Sequence, residues 1–158
     1  MSHLASIPFL DRPTDTNASK VADIGALRIH VDPTLGTQLY RMVQATAQIE
    51  DKECVMYDAG ASLGAVKTTG AAVKACAIAG IAVSQILINQ YGWVCCSGQV
   101  VAIADSTMGA GSTIFSGGTA GQVDDLAPAG NEHCVLGVSV SGGGSGGADV
   151  TVRLSGLV

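Results

Sequence analysis

A chain of 158 residues that is 47 % apolar, only 13 % charged and carries 21 glycines is no disordered polymer, which needs charge and lacks apolar material. It is no coiled coil either, which needs abundant Glu, Lys, Arg and Leu. Eight basic against 13 acidic side chains, a net charge of −5, speak against a nucleic-acid partner, whose affinity comes largely from cationic contacts to phosphate.

In chain order, the first residues have neither a cationic n-region nor a continuous apolar h-region, so no signal peptide is expected. Residues 1–25 read as an extended arm, because Pro8, Pro13 and the polar run Asp11–Lys20 suit neither helix nor strand. The arm holds an apolar knot, Ile7-Pro8-Phe9-Leu10, which would be wasted in solvent and is expected to dock on a partner. Residues 26–158 form the second unit.

From Ala26 onward the pattern is short Val- and Ile-rich strands between glycine-marked turns. Leu27, Ile29 and Val31 alternate with Arg28 and His30, the signature of a half-buried strand, ended by Asp32-Pro33. Further strands are expected at 39–46, 53–57, 80–88, 91–96, 99–104, 112–115, 134–140 and 149–154. Helical periodicity is weak, with at most a turn or two in 68–77. The greasiest stretch, Ala75 to Ile88, spans 14 residues, short of the about 20 that a membrane helix needs, so no membrane partner is expected. The fold class expected is all-β, a small β-barrel or β-tulip-like domain with an extended N-terminal arm.

An internal echo divides the strand region into two similar halves. Ala45, Ile49, Val55, Met56 and Ala61 recur 59 positions later as Ala104, Met108, Ile114, Phe115 and Ala120. Gly64, Val66, Gly80, Ile81 and Val83 recur 57 positions later as Gly121, Val123, Gly137, Val138 and Val140. A glycine heading an apolar strand in each half predicts close backbone approach or a bulge at Gly80 and Gly137.

No constellation calls for chemistry. The five cysteines, Cys54, Cys76, Cys95, Cys96 and Cys134, lack the paired spacing of a zinc site and read as buried small hydrophobes in a reducing compartment. His3, His30 and His133 are scattered. The glycine run at 142–147 precedes a strand, where a phosphate loop must open a helix; it reads as a hairpin connection. Asp124-Asp125, Glu50-Asp51 and Asp58 read as solvated turn residues without the donor spacing of a calcium site. No metal or cofactor is expected. A thiol hydrolase is the enzymatic rival, and a cellular barrel that merely oligomerises is another.

The ordered strings Gly36-Thr37-Gln38-Leu39-Tyr40-Arg41-Met42-Val43-Gln44-Ala45, Gln90-Tyr91-Gly92-Trp93-Val94 with Ser97-Gly98, Gly118-Thr119-Ala120-Gly121-Gln122-Val123-Asp124-Asp125 and Val135-Leu136-Gly137-Val138 resemble the head-decoration, or capsid cement, proteins of tailed bacteriophages. The likeness runs from about Gly36 to Leu154; the cysteines, the glycine run and the arm depart from it. It implies a non-enzymatic, commonly trimeric β-rich virion protein on the outside of an icosahedral shell, assembled in the bacterial cytoplasm, with the major capsid protein and itself as partners. The knot Ile7, Pro8, Phe9 and Leu10 is then the candidate capsid contact. Tyr91 and Trp93, the one tryptophan, are core or oligomer-interface anchors. A tail or spike module adhering to host glycan is the alternative, disfavoured by the scarcity of aromatic residues.

Overall fold

The computed structural model describes residues 14, 16–18, 22–58, 64–68, 78–127, 135–143 and 146–156. The knot Ile7–Leu10, His3, His133, Cys76 and Cys134 lie outside the described residues, as do 69–77, most of the stretch considered for a helical turn. Among the described residues all regular structure is β. The strands are β1 (Leu27–Asp32), β2 (Gly36–Ala45), β3 (Cys54–Tyr57), β4 (Gly64–Lys67), β5 (Ile78–Ala82), β6 (Tyr91–Ile103), β7 (Thr113–Ser116), β8 (Val123–Asp124), β9 (Gly137–Ser139) and β10 (Asp149–Leu154).

The ten strands form one sheet in the order β1-β2-β4-β3-β5-β6-β10-β9-β7-β8, with β2 also bonded to β6. That extra pairing closes a ring of five strands, β2-β4-β3-β5-β6 and back to β2. The chain thus builds a ring inside a larger sheet, in the first of the two similar halves expected. The remaining strands repeat the circuit. The parallel β2–β4 pair has its counterpart in an isolated parallel bridge, Ala104↔Val123.

The repeat holds at the level of register. Cys54↔Ile81 and Val55↔Gly80 between β3 and β5 return as Thr113↔Val138 and Ile114↔Gly137 between β7 and β9. Gln44↔Tyr91 between β2 and β6 returns as Ile103↔Asp149 between β6 and β10. Strand β6 therefore serves twice, its first part closing one half and its second part opening the next.

The interiors correspond as well. Val43, Ala45, Ile49, Val55, Ala79 and Val94 fill the first half. Their counterparts Ala102, Ala104, Met108, Ile114, Leu136 and Val152 belong to the second, larger cluster. Apolar burial of this kind contributes about 25 cal/mol per Å² and holds the sheet closed.

The sequence suggested two strands at 91–96 and 99–104, whereas β6 is continuous through Ser97-Gly98. Gly98 adopts φ +97°, and a Cβ on it would overlap the Thr37 carbonyl oxygen. The glycine lets β6 bend at close range as its partner changes from β2 to β10. The strand expected over 80–88 is shorter, since β5 ends at Ala82 and Ile86 makes only a bridge to Ile49. The echo calls for a short strand after the glycine turn in each half, and β4 and the two-residue β8 stand in those two places.

Candidate interaction surface

Strand β1 corrects the sequence reading in a way that bears on function. Its apolar residues were expected to face the core, yet Leu27, Ile29 and Val31 are 50 %, 70 % and 68 % exposed. The polar alternates turn inward and are half-buried. Arg28 places its guanidinium 5.8 Å from the centre of the Trp93 ring, and His30 meets Tyr40 edge-on at 6.2 Å. Asp32 accepts hydrogen bonds from the amides of Thr34 and Leu35 at 2.7 and 2.8 Å, which closes the turn into β2 and holds its carboxyl below the usual range. Each inward polar group is thus occupied, and the strand leaves an apolar stripe on the outside.

Trp93, 4 % exposed, belongs to the main core cluster, and the half-buried Tyr91 packs against the same cluster. The two residues stand two positions apart, on the same face of β6. Tyr91 also exchanges main-chain hydrogen bonds with Asn17, at 2.9 and 3.0 Å, which fastens the described part of the N-terminal segment to the start of β6.

A second apolar area lies on β9 and its continuation, where Val138 and Val140 are exposed. The repeat explains why. In the first half the outer face, Tyr40, Met42, Cys54, Ile81, Trp93 and Cys95, is buried in the main cluster. The corresponding Gln99, Val101, Thr113, Val138, Thr151 and Arg153 are half-buried or exposed.

An open cleft of about 220 Å³ brings His30, Asp32, Tyr40, Asp51 and Lys52 together. Asp32, Tyr40 and Lys52 are already committed. Tyr40 donates to Gln38 Oε1 at 2.8 Å and burial pushes its hydroxyl well above the ordinary phenol range. Lys52 Nζ pairs with Asp149 at 2.7 Å. Among the described residues no three His, Cys, Asp or Glu side chains cluster as a metal would require.

Cys54, Cys95 and Cys96 are buried and unpaired with one another. Burial pushes the Cys54 and Cys95 thiols up to about 12 and raises that of Cys96. The thiolate is the reactive form, so these three are held in the inert state at neutral pH. The acidic pair was read as solvated, but Asp124 is 8 % exposed. It accepts from Ser106 Oγ at 2.6 Å and from the amide of Asp125 at 2.8 Å, so the carboxylate ties a turn to β8.

No protein-family model matches this sequence, and no curated protein matches it. A solved structure does, the N base of the head fibre protein gp8.5 of bacteriophage phi29, with a TM-score of 0.54 at 17 % identity over 75 % of this chain and 94 % of that one. The two chains share a fold. At this identity the likeness is one of backbone architecture, and it joins the all-β sheet seen here to a protein named for the phage head.

Proposed function

We propose that this chain is a structural protein of a phage virion, which binds the outer surface of the icosahedral head and cements the expanded shell. The observation that carries the reading is the fold shared with the phi29 head fibre base, and the decoration-protein strings along 36–154 point the same way. The exposed stripe Leu27-Ile29-Val31 suits a protein that works by contact. The role is non-enzymatic, which the raised thiols support.

The partners in this proposal are the major capsid protein and further copies of the chain, as the homotrimer that the resemblance implies. The protein sits on the capsid exterior and assembles in the host cytoplasm. The knot Ile7, Pro8, Phe9 and Leu10 is its shell contact.

The mechanism is linkage. A protein that binds only the expanded shell lowers the free energy of that state by RT ln(1 + [L]/Kd) per site, about 2.7 kcal/mol at a hundredfold excess over Kd. Repeated over a lattice, modest contacts become resistance to internal pressure. Co-sedimentation with purified expanded and unexpanded heads tests this. Stoichiometric pelleting with expanded heads alone is expected, and a protein that stays in the supernatant with both overturns the proposal. Deleting residues 2–13, which spares the Asn17–Tyr91 bridge, is expected to abolish pelleting while leaving the fold; full occupancy by the truncated chain reassigns the shell contact.

A further inference from the structure

We infer that β1 is a pairing edge for a second copy of this chain, joined antiparallel across a two-fold axis to make one continuous sheet through both molecules. The main chain, the side chains and the charges of β1 each support that occupant.

The main chain comes first. Among the described residues β1 is bonded on one edge only, to β2. The amide of Met42 donates to the carbonyl of Ala26 at 3.0 Å, so Ala26 directs its main chain toward β2. In an antiparallel pair that direction alternates. Arg28, His30 and Asp32 therefore also bond inward, while Leu27, Ile29 and Val31 hold their amides and carbonyls toward the open edge. These are the three residues whose side chains are exposed. A solvated edge is ordinarily blunted by lysine, proline or a bulge. The open positions of β1 carry none of these; Pro33 follows only after the strand has ended.

Charge then selects the occupant. Place a second β1 antiparallel so that Ile29 faces Val31 of the second copy. Ile29 and Val31 of each strand then bond their counterparts along the open edges, Leu27 falls opposite Pro33 beyond the strand end, and the apolar stripes join on one face. On the other face the same register sets Arg28 opposite Asp32 of the second copy, twice over by symmetry, with the two His30 residues at the axis. A strand of this sequence is complementary to itself in charge, in apolar pattern and in hydrogen-bond direction. Oppositely charged pairs directly opposite across a sheet are favourable and like pairs are not. A two-fold contact uses the same patch on both molecules, and this patch meets that condition. Such a clasp joins copies two by two, whether they are single chains or trimers, and it stands whether or not the protein binds a phage head.

The experiment is mass measurement of the full chain by sedimentation velocity at about 100 µM, a concentration suited to a contact of one short strand. The wild type is expected as a dimer, or as a hexamer if it also forms trimers. Ile29→Lys and Val31→Lys each halve that mass, and neither touches the core because both side chains are exposed. An unchanged mass in these variants, or a wild type of odd stoichiometry, overturns the interface. The register is tested by charge exchange. Arg28→Asp alone and Asp32→Arg alone place like charges opposite one another and fall to the halved mass, whereas their equimolar mixture restores the full mass as a heterodimer. Failure of the mixture overturns the register. Circular dichroism and Trp93 emission check folding of the charge variants, and the two lysine variants carry the test if those do not fold.

Discussion

Gly80 faces the carbonyl oxygen of Cys95 so closely that a Cβ on it would overlap that oxygen, and Gly137 stands in the same relation to the carbonyl of Arg153. The two glycines occupy equivalent places in the two halves, each on the short strand that opens a pair with the following long one. Backbone is on the receiving side in both cases, so no side chain can swing away. Gly80→Ala and Gly137→Ala are therefore each expected to cost about 3 kcal/mol or more, the upper range for forcing atoms into a filled site. Gly36→Ala is the control: its φ of +80° disfavours a side chain, but nothing lies within 4 Å of the added atom, so about 1 kcal/mol is expected. Urea midpoints compare the three.

Trp93 makes its own prediction. Buried at the joint between the halves and stacked by Arg28, it emits in the blue in the native state and moves to the red on unfolding, a reporter undiluted by other tryptophans. Trp93→Ala opens a large cavity and is expected to lower stability by about 3–5 kcal/mol. Arg28→Ala removes one cation–π contact and costs about 0.5–1 kcal/mol. Urea titrations followed by circular dichroism measure both, and equal costs would deny that Trp93 is the anchor.

How much of this was legible in the sequence depends on the kind of signal. Period-two alternation located β1 and β10 to within a residue, because strand geometry writes itself into side-chain order. The echo between Gly80 and Gly137 was legible for a steric reason: only glycine fits, in both halves. Alternation does not say which face is covered, and β1 shows the consequence, with its apolar side outward. That choice is made by Tyr40 on the adjacent β2 and by Trp93 on the distant β6, which offer rings to His30 and Arg28. The echo places strand β4, Gly64-Ala65-Val66-Lys67, but its bounds were hidden because glycine and alanine carry little strand preference and its pairing is supplied by β2 and β3. The single strand β6 was hidden by Gly98, which reads as a turn in sequence and acts as a bend in the sheet.

Thr68 ties the halves together. Fully buried, it takes the Gly121 amide on both its hydroxyl and its carbonyl, at 2.9 and 3.0 Å, and its own amide bonds the Cys54 carbonyl at 2.8 Å. The Gly121 carbonyl returns a bond to the Cys54 amide at 2.6 Å. Thr68→Val keeps the shape and removes the hydroxyl acceptor, with an expected loss of about 1–2 kcal/mol. Thr68→Ser keeps the acceptor and is expected to lie nearer the wild type. Thermal unfolding of the two variants decides, and a valine variant as stable as the serine one would show that the hydroxyl carries no part of the joint.

Alkaline pH provides the last test, and its sign follows from burial. Desolvation holds the Cys54 and Cys95 thiols at about 12 in the folded chain, against an ordinary 9.0. Below pH 9 both states keep the proton and stability is independent of these groups. Between 9 and 12 the unfolded chain releases protons that the folded chain retains, so stability falls as pH rises, by up to about 1.4 kcal/mol per pH unit for each thiol. Tyr40, shifted upward by the same burial from 10.0, steepens the fall above pH 10. Urea unfolding at pH 8, 9 and 10 measures the slope, and Cys54→Ala is expected to make it shallower although it lowers stability at pH 8. In parallel, peptide mapping after brief alkylation at pH 8 is expected to find Cys54 and Cys95 unlabelled until urea is added. Rapid native labelling of either one would mean that the thiol is reached by solvent and that the alkaline slope has another source.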